Sequence, residues 1–118
     1  MIFLEYPKCS TCKKAKEFLI KNNVSFEDRN IVDVNPTYEE LATWINASKR
    51  DIKTFFNTSG NLYKELNLKE KLLEMNDEEK IKLLASNGML VKRPMLISND
   101  FILSGFKEDI WQENIDKD

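Results

Sequence analysis

The first thirty residues constrain the fold more than any other feature of the chain. "IFLEY" (Ile2 to Tyr6) is a run of β-formers, nearly all apolar, as in a central strand covered on both faces. Pro7 stops it. From Ser10 the period changes. Cys12, Ala15, Phe18 and Leu19 recur on one face at helical spacing, with Lys13, Lys14, Lys16, Glu17 and Lys21 elsewhere, so an amphipathic helix is expected to end in "KNN" at 21–23. "VSFEDRNI" (Val24 to Ile31) alternates and reads as a second strand. Strand, helix and strand within about thirty residues form a βαβ unit, with parallel strands and a right-handed crossover.

The rest of the chain divides into a helical block and a short β-rich tail. Residues from about Pro36 to Gly88 read as helical throughout, with Thr37 and Glu40 as a capping box ahead of Leu41, Trp44 and Ile45. "NTSG" (57–60) is a break; "ELNLKEKLLEM" follows, then "NDEEKIKLLASNG", capped by Asn76 or Asp77 and terminated by Gly88. "MLIS" (Met95 to Ser98) and "FILS" (Phe101 to Ser104) flank Asn99-Asp100 and predict an antiparallel hairpin, and "KEDIWQENI" closes as a helix. Without a repeat or linker, the order β-α-β, helices, β-β-α is expected to be one α/β domain over 1–118, with a helical insertion at about 36–88. Trp44, Phe55, Phe56, Tyr63 and Trp111 are read as core rather than as a partner surface.

Composition excludes several classes of function. The net charge of −2 argues against direct nucleic-acid binding, since such proteins are usually strongly basic. No window approaches the roughly eighteen apolar residues of a membrane span, and "MIFLEYPKCS" lacks the pattern of a signal peptide. A cytoplasmic protein is expected, in a compartment that keeps thiols largely reduced.

That expectation bears on "YPKCSTCKKA", which holds both cysteines, Cys9 and Cys12. A zinc site needs four ligands, and the chain has two cysteines and no histidine, so no metal is expected. The compartment disfavours a permanent disulfide, and a role as inert core thiols is the remaining plain alternative. A CxxC at a strand–helix junction favours a redox couple. Helix-start amides have no internal partner and carry partial positive charge, which stabilises an anion there. A thiol lowered from about 8.5 to about 7 goes from about 3% to half thiolate at neutral pH. Cys9, at the helix mouth, is placed to attack, and Cys12, one turn in and on the buried stripe, to displace what Cys9 has captured. Lys8, Lys13 and Lys14 either draw an anionic substrate or form a solvated face.

With the CxxC followed at a distance by "KRPML", the chain resembles the thioredoxin-fold family that includes glutaredoxin-type arsenate reductases (ArsC) and the regulator Spx. The resemblance runs through "YPKCSTCKKAKEFL", "FFNTSGNLYKELNL", "LLASNGMLVKRPMLI" and "SGFKEDIW". It implies a thioredoxin-like fold with a mixed four-stranded sheet and a helical insertion. It also implies that Cys9 is the attacking sulfur and that Pro94 follows a cis peptide bond against the CxxC. Arg93 then lies near Cys9, where its fixed positive fork suits a thiolate or an oxyanion. Catalytic roles fall on Cys9, Cys12, Arg93 and Pro94, and substrate contacts on Lys8, Ser10, Thr11, Lys13 and Arg93.

The chain departs from the arsenate reductases at two positions. Their further oxyanion-binding arginines align at or near Asn57 and Gly105, which carry no charge. The resemblance therefore implies a thiol–disulfide oxidoreductase that resolves its own mixed disulfide, acting on a small thiol, disulfide or oxyanion such as arsenate. No bound cofactor is expected; glutathione or a dithiol reductant would be the co-substrate, with glutaredoxin or thioredoxin as partner proteins. The alternative is a redox-sensing regulator of the Spx kind, which binds the C-terminal domain of the RNA polymerase α subunit.

Overall fold

In the computed structural model, which describes residues 1–117, β1 (Ile2–Glu5) lies at the centre of a four-stranded sheet of order β2-β1-β3-β4. It pairs in parallel with β2 (Glu27–Asn30), Phe3 opposite Asp28, and antiparallel with β3 (Met95–Ile97), Phe3 opposite Leu96. β3 pairs antiparallel with β4 (Ile102–Ser104), and Ser98 N–H closes the hairpin on the Phe101 carbonyl at 2.9 Å. This is the mixed sheet and thioredoxin-like order expected. The second strand is shorter than predicted, because Val24–Phe26 leave the helix without pairing and Val24 and Phe26 pack on the core instead.

α1 (Ser10–Lys21) forms where the apolar stripe predicts it, burying Cys12, Ala15, Phe18 and Leu19. It ends because the Asn22 side chain donates to the Phe18 carbonyl at 2.8 Å and Asn23 turns left-handed at φ 58°. Ala15, Phe18 and Leu19 of this stripe join Phe3, Leu96 and Trp111 in one cluster, with Phe3 and Phe106 edge-on to the Trp111 ring. α6 (Glu108–Lys117) supplies Trp111, whose indole N–H donates to the Gly105 carbonyl at 2.9 Å. This unit comprises residues 1–30 and 93–117.

Residues 31–92 form a second compact unit, largely helical. α2 (Tyr38–Ser48) opens with the Thr37–Glu40 capping box, and α5 (Asp77–Ser86) opens with a box between Asn76 and Glu79. The five aromatics read as core are buried in their respective units. Two expectations are corrected. The block is not helical throughout: across "ELNLKEKLLEM", α3 (Asn61–Glu65) stops short, Asn67 takes φ 52°, α4 (Leu68–Lys71) restarts, and residues 72–74 tighten into a 3₁₀ turn. Gly88 is not a helix terminator. α5 ends at Ser86, Asn87 is extended, and Gly88 opens a 3₁₀ turn against the Ile31 carbonyl, where a Cβ would come within 2.0 Å of the oxygen.

Candidate active site

Cys9 is the N-cap of α1, with extended backbone, and its sulfur accepts the Cys12 amide N–H at 3.3 Å. The first turn holds no acidic residue, so the positive helix end is left for the sulfur. Cys9 is partly exposed and Cys12 is wholly buried; both are free thiols. Burial pushes the Cys12 thiol up to about 12, and its hydrogen bond to Cys9 adds to the rise. The Tyr6 backbone and the charge of Arg93 act in the opposite direction. The two sulfurs are thus neighbours with opposite character, one partly exposed at the helix N-terminus and the other buried and held protonated.

The Arg93–Pro94 peptide bond is cis, as the resemblance implied. The Arg93 guanidinium lies over the Tyr6 ring, 5.4 Å from its centroid, and its field reaches Cys12. Tyr6 is therefore part of the site, through its ring and through its carbonyl, which accepts the Cys9 N–H at 3.0 Å. Sequence reasoning missed it, although its place directly before Pro7 in the cysteine loop was the available signal. Lys8, Ser10, Thr11 and Lys13 are all exposed around the Cys9 end of α1.

Gly105 explains one departure from the arsenate reductases in physical terms. Its φ of 71° is strained for any L side chain, and its N–H donates to the Pro94 carbonyl at 2.8 Å. Asn57 belongs to residues 31–92, where its N–H donates to the Leu90 carbonyl at 2.8 Å.

A further charged group went unforeseen. Glu5, at the end of β1, and Asp28, in β2, share the Lys16 ammonium of α1, with Lys16 Nζ 3.4 Å from Glu5. A carboxylate inside an apolar central-strand run was the signal. Among the described residues no helix is long and apolar enough to cross a membrane, and no group of three or more His, Cys, Asp or Glu is arranged to hold a metal ion.

The ArsC family model matches residues 4–114. The chain is 46% identical to the uncharacterized protein YusI of Bacillus subtilis (strain 168), over 97% of each chain. It is 30% identical to the regulatory protein MgsR of the same organism, over 90% of this chain and 82% of MgsR. Among solved structures it is similar to a possible arsenate reductase from Streptococcus mutans UA159. There the identity is 40%, the TM-score 0.85, and the match covers 92% of this chain and 95% of the other.

Proposed function

This chain belongs to the ArsC family, and from that premise we propose that it is a thiol–disulfide oxidoreductase in which Cys9 attacks and Cys12 resolves. The Cys9 thiolate attacks one sulfur of a substrate disulfide, forming a mixed disulfide and releasing the other sulfur as a thiolate. Cys12, once deprotonated, attacks the Cys9 sulfur, expels the second substrate thiolate and closes the Cys9–Cys12 disulfide. Two protein thiols are oxidised and one substrate disulfide is reduced. An external thiol, glutathione or a dithiol protein of the glutaredoxin or thioredoxin kind, restores the pair.

The observation that carries the proposal is the asymmetry of the two sulfurs. Part of what holds the proton on Cys12 is Cys9 itself, through its hydrogen bond and its charge. Both contributions disappear once Cys9 is bonded to substrate, so capture of the substrate eases release of the Cys12 proton. Arg93 favours the charged forms at this site, and its fixed fork suits a bound anion. Glycine at 105 leaves the site without one cation that the resemblance would lead one to expect. Mixed disulfides of small thiols are therefore the favoured substrate over arsenate.

The test is turnover of a glutathione mixed disulfide and of arsenate by the parent and by Cys9→Ser. Disulfide turnover by the parent and none by Cys9→Ser is expected. Equal rates from both proteins, or arsenate turnover above disulfide turnover in the parent, would contradict the proposal.

A second reading is a redox-sensing regulator that binds the C-terminal domain of the RNA polymerase α subunit. Relatives named as regulators, MgsR and the global transcriptional regulator Spx of streptococci, favour it. Capture of the purified α subunit by this protein in one redox state supports that reading; no capture in either state removes it.

A further inference from the structure

Residues 31–92 carry a pocket that the cysteine chemistry does not use, and we propose that it binds the phosphate of a small phosphate monoester. The pocket encloses about 220 Å³. That is below the roughly 300–1,000 Å³ of sites for drug-sized molecules, which sets the scale of the ligand.

Three lysines line it, each from a different piece of chain: Lys53 from the 3₁₀ turn at residues 52–55, Lys69 from α4 and Lys80 from α5. One acidic residue, Asp51, lines it too, and its Oδ1 accepts the Lys53 backbone N–H at 2.9 Å as the cap of that turn. The lining therefore carries three positive charges against one negative. None of the three ammonium groups forms an ion pair with a described residue. Bringing like charges together without a counter-ion is unfavourable, and a doubly charged phosphate matches the excess.

Tyr63 provides an independent observation. It lines the same pocket, is 5% exposed, and its ring packs against Phe56 at 6.3 Å between centroids. Its hydroxyl is buried without a hydrogen-bond partner among the described residues. Buried hydroxyls are nearly always bonded, and an orphan on a residue that lines a lysine-rich pocket marks a place for an acceptor, one that ligand entry has to open because the oxygen is closed off in the empty pocket. A phosphate oxygen is such an acceptor. Leu73, 85% exposed, and Leu72 form an apolar edge for a short organic stem and can yield as the ligand enters. The pocket shares no residue with the Cys9 site, so the proposal stands or falls independently of the thiol chemistry.

The experiment is an amide-resolved NMR titration of the full chain with glycerol 3-phosphate at constant ionic strength, with glycerol and sodium chloride as controls. Saturable shifts centred on residues 51–53, 63, 69 and 80, produced by the ester and by neither control, are expected. Tyr63→Phe removes only an unpaired hydroxyl, so its melting temperature should not fall while its affinity weakens about tenfold. Lys69→Gln combined with Lys80→Gln should weaken binding by at least about tenfold. Absence of saturable shifts, shifts equal to those from chloride, or full affinity in the double variant overturns the proposal. A Tyr63→Phe protein that melts lower and binds unchanged makes the hydroxyl structural and also overturns it.

Discussion

Replacing Glu5 by glutamine should stabilise the protein at neutral and mildly alkaline pH and leave it little changed in acid. Glu5 is 8% exposed. Burial first, and then the hydrogen bond and charge of Asp28, raise its carboxyl from 4.5 to about 7, while Lys16 pulls the other way. The folded state therefore holds this proton more tightly than the unfolded chain does. The stabilisation it represents is complete below about 4.5 and is lost as pH rises through about 7. An interval of about 2.5 pH units, at about 1.36 kcal/mol per unit, sets an upper bound of about 3 kcal/mol. Lys16 and Asp28 are each more than one-third exposed, and solvent screening of that cluster reduces the expected effect to about 1–2 kcal/mol. Asp28 works in the opposite sense. Burial would raise it, but the hydrogen bonds from Glu5 and Lys16 hold it below 3.8, so its contribution is lost only in strong acid. Between about pH 5 and about pH 8 Glu5 dominates this cluster. Urea unfolding at those two pH values, for the parent and for Glu5→Gln, is the assay. The variant should be the more stable protein at the higher pH and should show a flatter dependence on pH. Identical pH dependence in the two proteins would refute the reasoning.

Other outcomes follow from the same geometry. Lys16→Met leaves Glu5 and Asp28 facing each other without a cation and should cost about 1–2 kcal/mol at about pH 8 by urea unfolding. Gly88→Ala drives a Cβ onto the Ile31 carbonyl and should cost about 2–3 kcal/mol or abolish folding, read by thermal melting. Trp111→Phe loses the indole bond to Gly105 and leaves a gap beside Phe3 and Phe106, at about 2–3 kcal/mol by the same melt. Iodoacetamide at neutral pH should label Cys9 and spare Cys12, which is buried and has a thiol pushed up to about 12; peptide mapping checks this.

The parts of the fold that sequence revealed are those in which one local rule acts alone. The apolar stripe from Cys12 to Leu19 has no competitor, and α1 appears as expected with Cys9 at its cap. The two capping boxes are short-range signals and survive intact. Failures occur where tertiary packing competes with local preference. Val24 and Phe26 have good strand residues, but packing on the core takes them and the strand begins only at Glu27, whose N–H donates to the Met1 carbonyl. Asn67 looks permissible inside a helix until it adopts the left-handed region. Gly88 resembles a helix stop but is required by the approach of a carbonyl distant in sequence. At the site, the cysteines were legible because the helix start is a local feature. Tyr6 and the Glu5–Lys16–Asp28 cluster were not, since they depend on which strands become neighbours. The cis bond before Pro94 came from family resemblance alone.

The most direct test follows the two sulfurs by intact-mass spectrometry after exposure of the reduced protein to oxidised glutathione. The parent should lose two hydrogens and retain no glutathione, Cys12→Ser should accumulate a single glutathione adduct on Cys9, and Cys9→Ser should remain unmodified. An adduct on Cys12 in the Cys9→Ser protein, or a parent that stays glutathionylated without closing its own disulfide, would contradict the division of labour between the exposed sulfur at the helix mouth and the buried one behind it.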